Sequence, residues 1–272
     1  MVTSQILRPL SVGEILDRAF RLYRNHFLSL IGITALALTP VLILEVLSQI
    51  LMGSAVLVNG LQSFFVLCLV QGSLTYAVAS AYLGHPFSIG RAYRAALSRY
   101  GSLWGAIMLQ ILAICVPVVL LGCALIEMTG RGAGTIIVTQ LLFVALVILF
   151  ISRWLLAVPS IMQEGAGAVQ GLGRSWKLTH GIFWRVLGVL LLTLLIADLP
   201  STAVTYGLTY FFPGNPVGPL VKLVLTELSL IVALPWSTGV TVLLYYDLRV
   251  RGEGYDLELQ ARELSVNPIQ PE

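Results

Sequence analysis

The chain has 272 residues, 57% of them hydrophobic and only 11% charged, with a formal net charge of +3 and a mean hydropathy of +0.91. Ordinary soluble domains carry about 45–50% apolar and about 25% charged residues, so this balance excludes a soluble domain of normal size and points to an integral membrane protein. The small positive charge is joined to no recognition fold, which excludes a nucleic-acid partner.

Arg8, Glu14, Asp17 and Arg18 arrive before any long apolar run, so the N-terminus is expected to be retained and not cleaved as a signal peptide. Next comes SVGEILDRAFRLYRNHF, residues 11–27. Val12, Ile15, Leu16, Ala19, Phe20, Tyr23 and Phe27 share one helical face, and Glu14, Asp17, Arg18, Arg21 and Arg24 occupy the other. Ser11 and Glu14 form a capping-box pattern at its start. The spacing predicts an interfacial helix, with its basic face toward anionic headgroups and its aromatic face toward the acyl boundary.

A helix needs about 20 apolar residues to span the hydrocarbon layer. Six segments meet that length: 27–52, 60–83, 103–126, 134–158, 182–212 and 217–246. Asp198 and Pro200 interrupt the fifth, which reads as kinked or broken because proline removes a helical hydrogen bond. Of the 16 Lys and Arg residues, 13 fall on one side of this map: Arg8, Arg18, Arg21, Arg24, Arg91, Arg94, Arg99, Arg174, Lys177, Arg185, Arg249, Arg251 and Arg262. Only Arg131 lies in an opposite loop. Cytoplasmic loops carry the basic excess, so both termini are expected to be cytoplasmic, with six crossings.

The first motif recurs. Shifted by 77 positions, Ile89, Ala92, Tyr93, Ala96, Leu97, Tyr100 and Trp104 occupy the seven apolar positions, with Ser88 and Gly90 in place of Ser11 and Gly13. Shifted by 156, a weaker copy keeps Ala168, Leu172, Trp176 and Phe183, and matches Arg174 and Lys177 to Arg18 and Arg21. The chain therefore reads as an all-α polytopic membrane protein of six transmembrane helices in three pseudo-repeats, each an interfacial amphipathic helix plus a helical hairpin. One integral membrane domain covers 1–272, with units of about 8–83, 84–163 and 164–246 and a cytoplasmic tail at 247–272. In the tail, Leu257, Ala261 and Leu264 predict a short helix. Cys68, Cys115 and Cys123 form no CxxC pair and read as small buried apolar residues.

Three stretches carry a resemblance: RPLSVGEILDRAFRLYRNHF, VPSIMQEGAGAVQGLGRSWKLTHGIFWRVLG and LLYYDLRVRGEGYDLEL. Together they resemble the membrane-domain family of glycerophosphoryl diester phosphodiesterase over nearly the whole chain. The middle stretch, with Pro159, Glu164, Arg174, Ser175, Trp176 and Trp184, is the most specific. The resemblance implies a multi-pass protein of the bacterial inner membrane. Some relatives attach a soluble phosphodiesterase barrel; no such barrel is expected here, so none of its catalytic or metal residues carries over.

Ionisable groups inside spans are rare and costly, which marks Glu45, Arg153, Asp198, Lys222 and Glu227. They line a polar cavity for a cation, proton or headgroup, or they pair with one another and with Gln49, Gln71, Gln110 and Gln140 to fix helix packing while Arg153 and Lys222 snorkel. Glu164 is a candidate ion-pair partner of Arg174 or Arg153. Arg18, Arg21, Arg24, Arg91, Arg94, Arg99, Arg174, Lys177 and Trp176 are the headgroup candidates. His26, His85 and His180 belong to no HExxH, GxSxG or phosphate-loop motif, so no catalytic, metal or cofactor role is assigned. The function expected is a non-enzymatic, lipid-interacting or scaffold module, with a transporter or channel-like module as the alternative and a membrane enzyme acting on lipid headgroups behind both.

Overall fold

The computed structural model describes residues 8–130, 132–197, 199, 202–203, 206–207, 210, 218–255 and 257, and every regular element among them is helical. Helix α1 (Val12–Asn25) opens with the capping box. Ser11 Oγ accepts from the Glu14 N–H at 3.2 Å and the Glu14 carboxylate accepts from the Ser11 N–H at 2.7 Å. The Ser11 N–H and the neighbouring Arg8 hold the Glu14 carboxyl at about 2, against an ordinary value of 4.5. The chain turns at His26 into α2 (Phe27–Met52), which Gly53 ends in the left-handed region at φ 69°.

Helices α3 (Val56–Leu61) and α4 (Leu67–Tyr82) are joined by a π-helical turn, Gln62–Val66, into one run. Then follow α5 (Ile89–Ser98), α6 (Tyr100–Thr129), α7 (Ala133–Trp154), α8 (Ala157–Glu164), α9 (Ala168–Leu178), α10 (Phe183–Ala197) and α11 (Gly218–Glu253). Among the described residues, five runs are long and apolar enough to cross a membrane: 27–52, 56–82, 100–127, 133–164 and 218–253.

The predicted span at 182–212 is described only in part. Within it, helix α10 (Phe183–Ala197) is followed by described helical residues at 199, 202–203, 206–207 and 210, and the residues between these lie outside the described set. Helix α10 is bent by 105° from α9, and only that pair taken as one span brings the number to six. Asp198 and Pro200 lie outside the described residues, as does Arg131. Residues 247–253, assigned from sequence to the tail, continue α11 without a break. Ala261 and Leu264 of the predicted tail helix are also outside the described residues.

The apolar faces of the short amphipathic helices go to protein packing, where the sequence placed them at the acyl boundary. On α1, Ile15 and Ala19 are fully buried, and Ala19 packs on Gly239 of α11. On α5, Ala92 and Ala96 are fully buried. A Cβ on Gly72 of α4 would come within 2.6 Å of the end of the Leu103 side chain on α6 and 3.2 Å of Ala96 on α5, so a side chain here would press on both neighbours. On α9, Gly171, Leu172, Ser175 and Leu178 are buried. Each helix thus includes an inward pair four apart, and small side chains let backbones approach closely. Phe20, Phe27, Leu97 and Trp176 face outward instead. Cys115 and Cys123 are exposed on α6 and only Cys68 is buried, because the outside of a membrane bundle is as apolar as its core.

Three helix irregularities are repaired by hydroxyls from these short helices and the segments after them. Pro235 lacks the N–H that would bond Ile231 O, and Thr34 Oγ1 donates to that carbonyl at 3.0 Å. Tyr23 Oη donates to the next carbonyl, Val232 O, at 3.1 Å. Tyr100 Oη donates to Phe65 O in the π-helical turn at 3.2 Å. Where α7 breaks from α8, Ser175 Oγ donates to Arg153 O at 2.7 Å and accepts from the Leu156 N–H at 3.1 Å.

Thr34→Val is expected to cost about 1 kcal/mol in a detergent or bilayer unfolding assay. In a Pro235→Ala background the restored amide bonds Ile231 O, and the same substitution should cost much less. Equal costs in both backgrounds would show that Thr34 does not serve that carbonyl.

Candidate functional site

The charged ends of α1, α8, α9, α10 and α11 meet in two ion clusters. In the first, Asp247 is fully buried and accepts from the Leu10 N–H at 2.6 Å, Arg185 Nη2 at 2.8 Å and Arg251 Nε at 3.0 Å. Both arginines also donate to Leu10 O. The segment entering α1 is thereby tied to α10 and α11.

In the second cluster Arg174 of α9 donates through Nε to Glu164 at 2.8 and 2.9 Å and through Nη1 and Nη2 to Glu253. Tyr245 Oη donates to Glu164 Oε1 at 2.7 Å, and Arg249 Nε to Glu253 Oε2 at 3.3 Å. The Arg249 guanidinium lies 3.8 Å from the Tyr255 ring centre, a cation–π contact. The four charged side chains keep between 14% and 28% of their exposure, so solvent screens part of their attraction.

Arg153 donates through Nη1 to Thr179 O at 2.9 Å and lies 5.1 Å from the Trp176 ring and 5.4 Å from the Phe183 ring. It clamps the α9–α10 corner. Arg99 reaches Ile161 O at 3.2 Å. Arg21 pairs with Asp17 at 2.9 Å, with both side chains largely in solvent. Arg18 contacts Tyr82 and, with Arg21, Asn25 and His26, lines a hollow of about 220 Å3 beside α1. Arg24, Arg91, Arg94 and Lys177 are exposed.

Deeper in the bundle, Glu45 and Glu227 are buried and close enough for their charges to interact. Glu45 Oε1 accepts from Asn59 Nδ2 at 3.3 Å, and both oxygens of Glu227 accept from Gln62 Nε2 at 3.1 and 3.0 Å. Glu45 Oε2 and Gln62 Oε1 have no partner among the described residues. Lys222 lies 5.4 Å from the Tyr206 ring and pairs with neither acid.

A separate cavity of about 260 Å3 opens between α4, α6, α7, α8 and α11. Its polar wall is Gln71, Thr75, Gln110, Thr238 and Thr241, and its apolar wall includes Ile114, Phe150, Ile151 and Trp154. The intramembrane acids do not line it. Sequence reasoning treated Gln71 and Gln110 only as packing partners, and it missed Arg185, Tyr245, Asp247, Arg249, Arg251 and Glu253 as networked residues. The available signal was the i, i+4 spacing in YYDLRVRGE, which sets Tyr245 over Arg249, Asp247 over Arg251 and Arg249 over Glu253.

The family model described as the membrane domain of glycerophosphoryl diester phosphodiesterase matches residues 130–265. That range holds every charged residue of both ion clusters; Leu10, which contributes its backbone, lies before it. No curated protein and no solved structure matches the chain.

Removing one partner of a buried ion pair costs about 3–5 kcal/mol. Asp247→Asn is expected near the low end, because Arg185 and Arg251 keep 24% and 38% of their exposure. Denaturant unfolding measures the loss, and protease cleavage near Leu10 should rise in parallel. Unchanged cleavage would mean that Asp247 does not hold the entry to α1.

Proposed function

The chain belongs to the membrane-domain family of glycerophosphoryl diester phosphodiesterase, and from that premise we propose a non-enzymatic, multi-pass protein of the bacterial inner membrane whose basic rim engages anionic lipid headgroups. One observation supports this most. Among the described residues the acids at the charged end are taken up within the two clusters and by local pairs, while Arg24, Arg91, Arg94 and Lys177 stand exposed with no carboxylate in salt-bridge reach. Exposed Phe20, Phe27, Trp176 and Trp184 flank them, and a basic row beside exposed aromatics suits the headgroup level of a bilayer.

On this reading the three short helices are one device used three times. Ser11 and Ser88 cap the first two, and Gln170 accepts from the Gly167 N–H at 3.3 Å in the third. Inward positions 15 and 19, 92 and 96, and 171 and 175 coincide under the offsets of 77 and 156. Both supports favour the three-unit plan, and the basic bias of one side favours cytoplasmic termini.

A second reading, a transporter or channel-like module, draws on Glu45 and Glu227, two buried carboxylates whose hydrogen bonds come from amides and not from a base. Charge so placed is costly unless protons, water or a cation compensate it.

Replacing Arg24, Arg91, Arg94 and Lys177 with Gln is expected to remove the preference of the reconstituted protein for anionic over zwitterionic lipid, since each basic residue near such a surface contributes about 1 kcal/mol. Co-purified lipid measured by native mass spectrometry reads the change. An undiminished preference would sink the headgroup role. Cysteines placed at Ser98 and Ser54 should label from the inside and the outside of right-side-out cells respectively, and labelling of both from one side would overturn the topology.

A further inference from the structure

The neutral cavity between α4, α6, α7 and α11 has a wall unlike the rest of the intramembrane surface. Thr238 Oγ1 donates to Gln71 Oε1 at 3.3 Å and Thr241 Oγ1 donates to Ser237 O at 3.1 Å. The Gln110 amide and the Gln71 amide N–H groups find no partner among the described residues, yet both side chains face the cavity. An amide left unmet in hydrocarbon is costly, so whatever fills this space brings hydrogen-bonding groups of its own. No charged side chain is in the wall, and a charge at this depth would go uncompensated.

Depth narrows the chemistry further. Gln71 lies 11 residues before Tyr82, the end of α4, and Gln110 lies 10 residues after Tyr100, the start of α6. At about 1.5 Å per residue both sit roughly 15 Å inside the charged end of the bundle. Trp154 and Pro159, at the α7–α8 break, mark the shallow side of the same cavity. The wall therefore runs from the level of lipid ester groups toward the middle of the bilayer, polar on α4 and α11 and apolar on α7. Its volume holds roughly eight groups of water size at about 30 Å3 each, which accommodates a glycerol with its ester groups while the acyl chains stay outside.

We propose that this cavity binds the uncharged glycerol-ester region of a membrane acylglycerol, with Gln71 and Gln110 bonding its hydroxyl and ester oxygens and Phe150 and Ile114 packing on the start of an acyl chain. The same chemistry is offered by diacylglycerol and by the ester region of phosphatidylglycerol, whose phosphate would remain at the interface. The site rests on membrane insertion and not on the basic rim, so the two readings fail separately.

The test uses the full chain in nanodiscs with a diacylglycerol carrying a photoactivatable diazirine close to its glycerol, in parallel with a matching phosphatidylglycerol. Labelling is expected to concentrate on residues 103–118 and 147–159. It should fall about fivefold or more when Gln71→Leu and Gln110→Leu are combined, the factor that about one kcal/mol carries. Ile114→Trp keeps the polar wall but fills the space, and it should cause the same loss, which decides the matter if the double variant does not fold. Labelling by diacylglycerol alone assigns a neutral lipid, and labelling by both assigns the shared ester region. The rim substitutions Arg24→Gln, Arg91→Gln, Arg94→Gln and Lys177→Gln should leave diacylglycerol labelling unchanged. Labelling spread evenly along the outer faces of α6 and α7, and unaltered by Ile114→Trp, would overturn the site.

Discussion

A backbone carbonyl without a partner costs several kcal/mol in hydrocarbon, and at three places where its helices depart from regularity this bundle meets that cost with side-chain hydroxyls. Pro235, the π-helical turn at Gln62–Val66 and the break after Trp154 each release backbone groups. Thr34, Tyr23, Tyr100 and Ser175 supply hydroxyls at those places. Since Tyr23 and Ser175 sit on short amphipathic helices and Tyr100 begins the helix that follows one, docking those helices and permitting the irregularities are the same act. Ala19 against Gly239, and Ala96 near Gly72, show how close the approach must be for the hydroxyls to reach.

The all-helical character and most of the apolar runs were legible from composition and length alone, because about 20 apolar residues in a row have few other uses. The amphipathic helices were legible from period, down to the Ser11–Glu14 capping box. What period does not encode is the medium an apolar face meets. Ile15 and Phe20 lie on one face by spacing, yet the first is fully buried by protein and the second is 54% exposed. Hydropathy likewise cannot tell lipid from protein, which is why Cys115 and Cys123 were assigned inward and lie outward.

The candidate sites divide along the same line. Glu164 and Arg174 are ten residues apart and in one stretch, so their pairing was within reach of the sequence. Glu253, which shares Arg174, is 79 residues away, and Leu10 meets Asp247 across 237. Long-range partners of this kind leave no periodic trace. Only the internal spacing of YYDLRVRGE hinted that one helix face was prepared for them.

Charge falls with depth in a graded way. Exposed arginines and a lysine occupy the rim, paired ions lie just inside it, and neutral amides and hydroxyls line the cavity beneath. That order follows desolvation cost, since a guanidinium keeps most of its hydration at the interface, an ion pair needs less, and an amide needs only a hydrogen-bonding partner. Glu45 and Glu227 break the order. They are buried carboxylates bonded by Asn59 and Gln62 and by no base among the described residues. Their π-helical neighbour, Gln62–Val66, is the type of irregularity that recurs at functional positions in helices. Glu227→Gln would remove one of the two buried charges and offer Gln62 Oε1 an N–H, so the pair of acids beside an unmet amide oxygen is the feature of this bundle least accounted for by stability.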